Sequence, residues 1–223
     1  MTIKLFIQAI LKFTLGVILV GALVFLPAGT FDFAGGWMLM GILFIPMFIA
    51  GFVMMVKDPS LLESRLDAKE KEKTQSLVVK LSGLMFIAGF ILAGLDFRFG
   101  WVKLPFIVNI VASCVFILAY IIYAEVLREN TYLSRTIKVV EGQKVISTGL
   151  YGIVRHPMYF ATILLFLSMP LVLGSVVSFV VFLAYPFIIA VRIKNEEEVL
   201  SRELDGYEEY KTKVKYRMLP FIW

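Results

Sequence analysis

Two polar segments near the end of the chain carry the side chains best suited to chemistry. They combine cations, carboxylates and aromatic rings: Tyr151, Arg155, His156 and Tyr159 in the first segment, and Arg192, Glu196 and Glu197 in the second. Such a set can bind a ligand that has charges of both signs. His156 and Glu197 are also candidates for removing a proton from a reacting amine. The pattern therefore indicates a binding pocket with possible acid–base groups, provided that the fold brings the two segments together.

Each of these features also has a structural interpretation. Arg192 and Glu196 are four residues apart and share a helix face, which alone is typical of an ion pair at a helix end. Arg155 ahead of Pro157 is typical of a snorkelling arginine and a proline at a helix start. The run Tyr207–Tyr210, taken alone, is typical of a solvated helix face. Only the order and position of these pieces favour a site.

The composition indicates a membrane protein. The chain has 223 residues, of which 60% are hydrophobic, and its mean hydropathy is +0.87. Soluble domains are about 45–50% apolar, so the excess must face lipid. Stretches of about 20 apolar residues can span a bilayer, and in lipid they must be helical. The candidates are residues 5–26, 37–56, 77–95, 104–127 and the shorter 158–173 and 176–191.

These spans predict an all-α, polytopic transmembrane bundle of about five to six membrane helices. The last two spans are joined by the tight turn Leu173–Ser175, which predicts a helical hairpin, and they are interrupted by Pro170 and Pro186, so the hairpin is expected to be kinked or not to cross the membrane fully. A hairpin brings its two ends together. We therefore expect the polar segments before and after it to meet at one membrane face.

The basic residues predict which face that is. All but two of the 22 lysines and arginines fall at one set of span ends, and only Arg98 and Lys103 fall at the other. By the positive-inside rule, both termini and the site are predicted to be cytosolic, at the inner membrane of a bacterium or the endoplasmic reticulum of a eukaryote. The segment 61–74 is predicted to be a charged, amphipathic or solvated helix at the same face. Charges spread over loops in this way argue against nucleic-acid binding.

Several site classes are excluded by what the sequence lacks. One histidine and one cysteine, Cys114, cannot form a Cys/His metal site, so no metal is expected. No G-x-G-x-x-G motif is present, which excludes a Rossmann-type cofactor domain. The span interiors hold almost no ionisable residues apart from Glu125, which argues against a transporter of ions or protons.

The run TGLYGIVRHPMY, a short apolar hairpin, RIKNEEEVL, GYEEY and YRMLPFIW follow one another in this order. This succession resembles the carboxyl-terminal signature of the isoprenylcysteine carboxyl methyltransferase family, and phospholipid N-methyltransferases are similar in the same region. The resemblance covers residues 129–223. It implies a cytosolic cofactor pocket for S-adenosylmethionine and a lipophilic small-molecule or lipidated substrate reached from membrane lipid.

The resemblance also implies residue roles and a division of the chain. Residues 1–128 would form a four-helix transmembrane region, and residues 129–223 the cofactor-binding catalytic region. Arg192 and Glu197 would be catalytic. The cofactor would be bound by Gln143, Lys144, Val145, Ile146, Tyr151, Arg155, His156, Pro157, Tyr159 and Glu196.

Two other functions are open. Sterol and steroid reductases share an RHPxY-like stretch and a late aromatic-rich tail but use NADPH. Here Tyr207 and Tyr210 follow an EExxL motif, which favours the methyltransferase. The other alternative is a membrane protein without enzymatic activity.

Overall fold

The computed structural model describes residues 3–66, 73–133 and 139–223, and all regular elements in these ranges are helical. The predicted all-α fold is thus confirmed. One turn of 3-10 helix covers Gly149–Gly152. The α-helices are α1 Ile3–Ala28, α2 Ala34–Lys57, α3 Pro59–Leu66, α4 Lys73–Phe99, α5 Phe106–Glu129, α6 Pro157–Val172, α7 Val176–Phe182, α8 Tyr185–Glu203 and α9 Tyr207–Lys213.

Five stretches are long and apolar enough to cross a membrane, as predicted. They are Leu5–Ala28, Ala34–Lys57, Gln75–Phe99, Phe106–Glu129 and the combined α7–α8 stretch Val176–Glu203. Helix α6 has 16 residues and is about 24 Å long, shorter than the roughly 30 Å hydrocarbon core. The chain is therefore a multi-pass membrane protein.

Apolar side chains cover the outside of the bundle. Leu15 is 65% exposed, Phe52 is 68% exposed and Phe187 is 76% exposed. In water such a surface would be unfavourable, whereas in a bilayer it contacts acyl chains. The interior is a continuous apolar cluster that joins α2, α4, α5, α6 and α8 and includes Phe116 and Phe182, both fully buried. Helices of both predicted regions pack together in it, and the division at residue 128 stays a prediction.

Helix α4 packs closely against α1 because of its glycines. A Cβ atom on Gly94 would lie 2.5 Å from the carbonyl oxygen of Val24 and 3.0 Å from the amide of Ala28. A Cβ on Gly89 would lie 2.3 Å from the ring of Phe182, on α7. Small residues that allow backbones to approach are a common basis of helix packing in membranes. Here they allow α4 to pack closely between α1 and α7.

The predicted hairpin is present, and its turn is fastened to α4. Gly174 adopts a positive φ of +76° in the turn. The hydroxyl of Ser175 caps α7 by accepting from the amide of Ser178 and donates to the buried carboxylate of Asp96 at 2.6 Å. A second tie comes from α5, where the amide of Asn109 donates to the carbonyl of Val172 at 2.8 Å. We call this cluster, Asp96, Asn109 and Ser175, the turn clasp.

The returning arm of the hairpin is not one straight helix. Helix α7 ends at Phe182 and α8 begins at Tyr185, with Pro186 in the first turn of α8. A proline is well tolerated there because the first helical amides have no intrahelical partner. The interruption predicted from Pro186 thus lies just ahead of it, at Leu183 and Ala184.

The predicted segment 61–74 is described in part. Helix α3 covers its beginning, where Leu61 and Leu62 are buried and Glu63 is exposed, so this part is amphipathic. Residues 67–72 lie outside the described residues. The basic residues Lys69, Lys71, Arg135 and Lys138, which contribute to the predicted charge asymmetry, lie outside them as well.

Candidate functional site

A pocket opens between the end of α5, the loop that follows it, the start of α6, and helices α8 and α9. The space between these elements measures about 830 Å³, including its opening to solvent. Ten of the side chains predicted from the sequence line it: Gln143, Lys144, Val145, Ile146, Tyr151, Arg155, His156, Tyr159, Arg192 and Glu196. The hairpin therefore brings the two polar segments together, as its predicted geometry requires.

The hydroxyl of Tyr159 connects a cation and a carboxylate in this pocket. It accepts a hydrogen bond from Nε of Arg192 at 2.8 Å and donates one to Oε2 of Glu196. The four-residue spacing on α8 places Arg192 and Glu196 on the same face, and Tyr159 on the facing arm lies between them. The arrangement holds charges of both signs at the point where the apolar part of α8 ends.

Helix α4 holds this part of α8 by hydrogen bonds. The fully buried Gln75 donates from Nε2 to the side-chain oxygen of Asn195 at 2.5 Å and to the carbonyl of Arg192 at 3.4 Å. Asn195 sits between the two charged residues in sequence. The position of the Arg192–Glu196 turn is therefore fixed from two sides, by α6 and by α4.

Glu197 lies next to the pocket, not on it, at the centre of a buried ion cluster. Its Oε1 is 2.7 Å from Nε of Arg155 and 3.3 Å from Nε2 of His156, and its Oε2 accepts from Nε of Arg217 at 2.7 Å. Only 5% of Glu197 is exposed. A buried guanidinium such as that of Arg155 needs such a partner, because removal from water costs several kcal/mol per ion. The structure thus gives Glu197 a charge-compensating role, and its predicted catalytic role stays a prediction.

Backbone carbonyls of the segment after α9 accept hydrogen bonds from Arg155 and His156 and hold them in place. The amide of Arg155 donates to the carbonyl of Tyr216 at 3.0 Å, and that of His156 to the carbonyl of Arg217 at 2.7 Å. Nη1 of Arg155 donates to the carbonyls of Val214 and Lys215. Much of the hydrogen-bonding capacity of Arg155 is thus used within the protein.

Pro157 does not line the pocket but begins α6, directly after His156. Its ring fixes the backbone dihedral φ near the helical value and removes an amide that would have no helical partner. The predicted structural interpretation of this proline therefore holds. Its effect on the site is to set the direction in which the chain leaves His156.

Two hydrogen bonds hold Tyr151, one to its side chain and one to its backbone. Its hydroxyl accepts from Nδ2 of Asn130 at 3.1 Å, and its carbonyl accepts from the hydroxyl of Tyr210 at 2.7 Å. Burial raises the pKa of the phenols of Tyr151 and Tyr210, so both stay neutral near pH 7. Asn130 caps the end of α5 and also positions this ring.

Residues 143–146 line the pocket without forming a helix or a strand. The side-chain oxygen of Gln143 accepts from the amide of Val140 at 3.1 Å and so closes the turn ahead of this segment. Val145 of this segment packs against the apolar cluster that contains Leu204 and Tyr207.

The sequence interpretation of the run 207–210 was wrong for its tyrosines. Tyr207 and Tyr210 are buried and line the pocket, whereas Glu208 and Glu209 are exposed and pair with Lys211 and Lys213. The available signal was the spacing of Leu204, Tyr207, Tyr210 and Val214, which recurs every three to four residues and forms one apolar cluster. The other lining residues that sequence reasoning did not assign are Asn130, Tyr132, Leu133, Met158, Leu200 and Leu204.

Tyr207 differs from the other pocket tyrosines in one respect. Only 4% of the residue is exposed, yet among the residues that the structure describes no group forms a hydrogen bond with its hydroxyl. Burial and the nearby carboxylates of Glu197 and Glu196 raise the pKa of this phenol, so it remains protonated.

Groups of three or more potential metal ligands are not found within the described ranges.

Comparison with known families gives a match over this region. The model of the isoprenylcysteine carboxyl methyltransferase (ICMT) family matches residues 108–202, which include α5, α6, α8 and most of the pocket. The resemblance predicted from the sequence is confirmed for this part of the chain. Together with the membrane-spanning helices, the match supports a membrane methyltransferase-like function.

A similar curated protein carries the name of a reductase. The chain is 26% identical over 91 residues to Delta(14)-sterol reductase TM7SF2 of Mus musculus, an alignment that covers 40% of this chain and 22% of the relative. The chain thus matches about a fifth of the length of that protein. This partial similarity does not favour a reductase over a methyltransferase.

Proposed function

We propose that this protein is an integral membrane methyltransferase that uses S-adenosylmethionine to methylate a lipophilic acceptor. The observation that carries the proposal is the Arg192–Tyr159–Glu196 arrangement, which lies in the pocket at the end of the apolar helices and within the region matched by the ICMT family. The match supports the reaction class, and the lining of the pocket supports this location for the site.

The residues present fit the chemistry of this cofactor. S-adenosylmethionine has a carboxylate, an ammonium group, a sulfonium and a flat base, so a pocket for it needs charges of both signs and aromatic or apolar surfaces. His156 can meet a carboxylate, Glu196 an ammonium group, and tyrosine rings a sulfonium through cation–π attraction. Val145, Leu200 and Leu204 line the pocket as well and suit a base.

When bound, S-adenosylmethionine would supply an electrophilic methyl group. The protein's contribution is then mainly alignment, and positioning alone can supply roughly 7–11 kcal/mol of a reaction barrier. Arg192, at the membrane boundary, would orient the acidic or polar head of the acceptor. A carboxylate acceptor is ionised near neutral pH and needs no base, whereas an amine acceptor would have to lose a proton, for which His156 is placed in the pocket.

We assign Glu197 a positioning role within this proposal. It lies beside the pocket and compensates Arg155, His156 and Arg217, so it would act through these residues and not on the reacting atoms. The pocket itself would open to the cytosol, in keeping with the predicted charge asymmetry, while the lipid tail of the acceptor lies among the membrane helices.

The proposal is tested with the purified full chain in detergent or lipid nanodiscs. Binding of S-adenosylhomocysteine and of NADPH is measured by calorimetry, and transfer of a labelled methyl group is measured with lipid extracts, a prenylated cysteine analogue and phosphatidylethanolamine. We expect binding of the first ligand and labelling of one acceptor class. Binding of NADPH alone would favour the reductase, and binding of neither ligand would leave only the membrane assignment.

A further inference from the structure

The pocket has two chemically different ends. Its charged end contains Tyr159, Arg192 and Glu196, which are joined by hydrogen bonds. Its apolar end is a wall on which Leu204 and Tyr207 pack together with Val145. A ligand that fills the whole pocket must therefore have a charged part and a part with a flat or apolar surface.

The hydroxyl of Tyr207 is the unexplained group on this wall. Its ring belongs to the apolar cluster, but the hydroxyl, although buried, has no hydrogen-bond partner among the described residues. A buried polar group that lacks a partner costs about 1–3 kcal/mol, and such groups are uncommon in folded proteins. Since Tyr207 lines the pocket, the missing partner can be supplied by a bound molecule.

Tyr210 provides an internal comparison three residues later. It lies in the same cluster and lines the same pocket, but its hydroxyl donates to the carbonyl of Tyr151 at 2.7 Å. The fold therefore uses the hydroxyl of Tyr210 to hold its own structure and leaves that of Tyr207 without a structural use.

We infer that the hydroxyl of Tyr207 binds the nucleoside part of the ligand, through a hydrogen bond to its sugar or its base. This inference rests on the proposed function, which supplies the nucleoside. The assignment to the nucleoside follows from the surroundings of the residue, because its ring packs on the apolar wall, which suits a base, while its hydroxyl lies near Glu196, which suits the amino-acid part. The raised pKa of the phenol agrees with a neutral hydroxyl that can donate.

The test compares Tyr207→Phe with Tyr210→Phe in the purified full chain. Without ligand, Tyr207→Phe should melt at or above the wild-type temperature, because it removes a buried hydroxyl that has no partner. Tyr210→Phe should melt lower, because the carbonyl of Tyr151 loses its donor. A purely structural role for Tyr207 would instead make the two variants behave alike.

Ligand binding is then measured with S-adenosylhomocysteine and with methylthioadenosine, which lacks the amino-acid part. Tyr207→Phe should bind both about 3- to 10-fold more weakly than wild type, the effect of one hydrogen bond between uncharged groups. Unchanged binding of S-adenosylhomocysteine, or weaker binding of it with unchanged binding of methylthioadenosine, would overturn the inference. Failure of the wild-type protein to bind S-adenosylhomocysteine would overturn the proposed function itself, and the inference with it.

Discussion

Arg217 donates a hydrogen bond of 2.7 Å to the buried carboxylate of Glu197, from a segment twenty residues later in the chain. This contact occupies Oε2 of the carboxylate, since Oε1 already contacts Arg155 and His156. Arg155 and His156, which line the pocket, are thus held by Glu197, a carboxylate that does not itself line the pocket.

Replacing Glu197 by glutamine should destabilise the protein strongly. The substitution keeps the shape of the side chain but leaves Arg155 without a charged partner in a buried position, a change that typically costs about 3–5 kcal/mol. Thermal unfolding of the ligand-free protein measures the effect. The neighbouring Glu198 is exposed, so Glu198→Gln is the matched control and should unfold like wild type. Wild-type stability of Glu197→Gln combined with complete loss of activity would instead favour the catalytic role predicted from the sequence.

Alanine at position 192 or at position 196 should reduce methyl transfer at least about tenfold with intact expression. Each substitution removes a charged group that the proposal assigns to the acceptor or to the cofactor, and hydrogen bonds to charged groups contribute about 1.5–3 kcal/mol. Initial rates with the labelled methyl donor give the result. Wild-type activity in both variants would disprove the site assignment.

The hydroxyl of Tyr159 should be needed for activity even though it is uncharged. Tyr159→Phe removes the group that joins Arg192 to Glu196, so we expect a loss of about 10- to 100-fold in methyl-transfer rate. Tyr185→Phe is the control, because Tyr185 is equally buried but its hydroxyl bonds Thr162. Equal activities of the two variants would show that the connection through Tyr159 is dispensable.

Gly94 should be intolerant of any side chain. A methyl group at this position would collide with the backbone of α1 at Val24, so Gly94→Ala should destabilise the bundle by about 1–3 kcal/mol. Gly83, on the same helix, has open space where a Cβ would lie, and Gly83→Ala should leave the melting temperature unchanged or slightly raised. Identical melting temperatures of the two variants would contradict the packing of α1 on α4.

Single cysteines test the predicted orientation. After Cys114→Ala, Lys103→Cys should react with a membrane-impermeant maleimide on intact cells or sealed vesicles, whereas Lys211→Cys should react only after permeabilisation. The two positions lie at opposite ends of the spans, before α5 and within α9. The reverse labelling pattern would place the pocket on the other side of the membrane.

The parts of the fold that follow from local pattern could be predicted from the sequence. Apolar stretches of about 20 residues specify the spans, and Gly174 between two short apolar stretches specifies the hairpin, so the meeting of Arg192 with Tyr159 follows from chain geometry alone. The position of Arg217 beside Glu197 could not be predicted, because nothing in the local sequence shows where the segment after α9 returns. The burial of Tyr207 was visible only as a helical spacing of apolar residues, which the two intervening glutamates obscured.

The turn clasp has a consequence for how the pocket can change shape. The arms that carry His156 and Arg192 are fastened to α4 and α5 at the other end of the hairpin, through Asp96, Asn109 and Ser175. Because these hydrogen bonds fix the turn of the hairpin, its two arms are not expected to separate by rotation at the turn. Widening that admits a bulky molecule can instead come from flexing of the returning arm at Leu183 and Ala184, where the helix is interrupted ahead of Pro186.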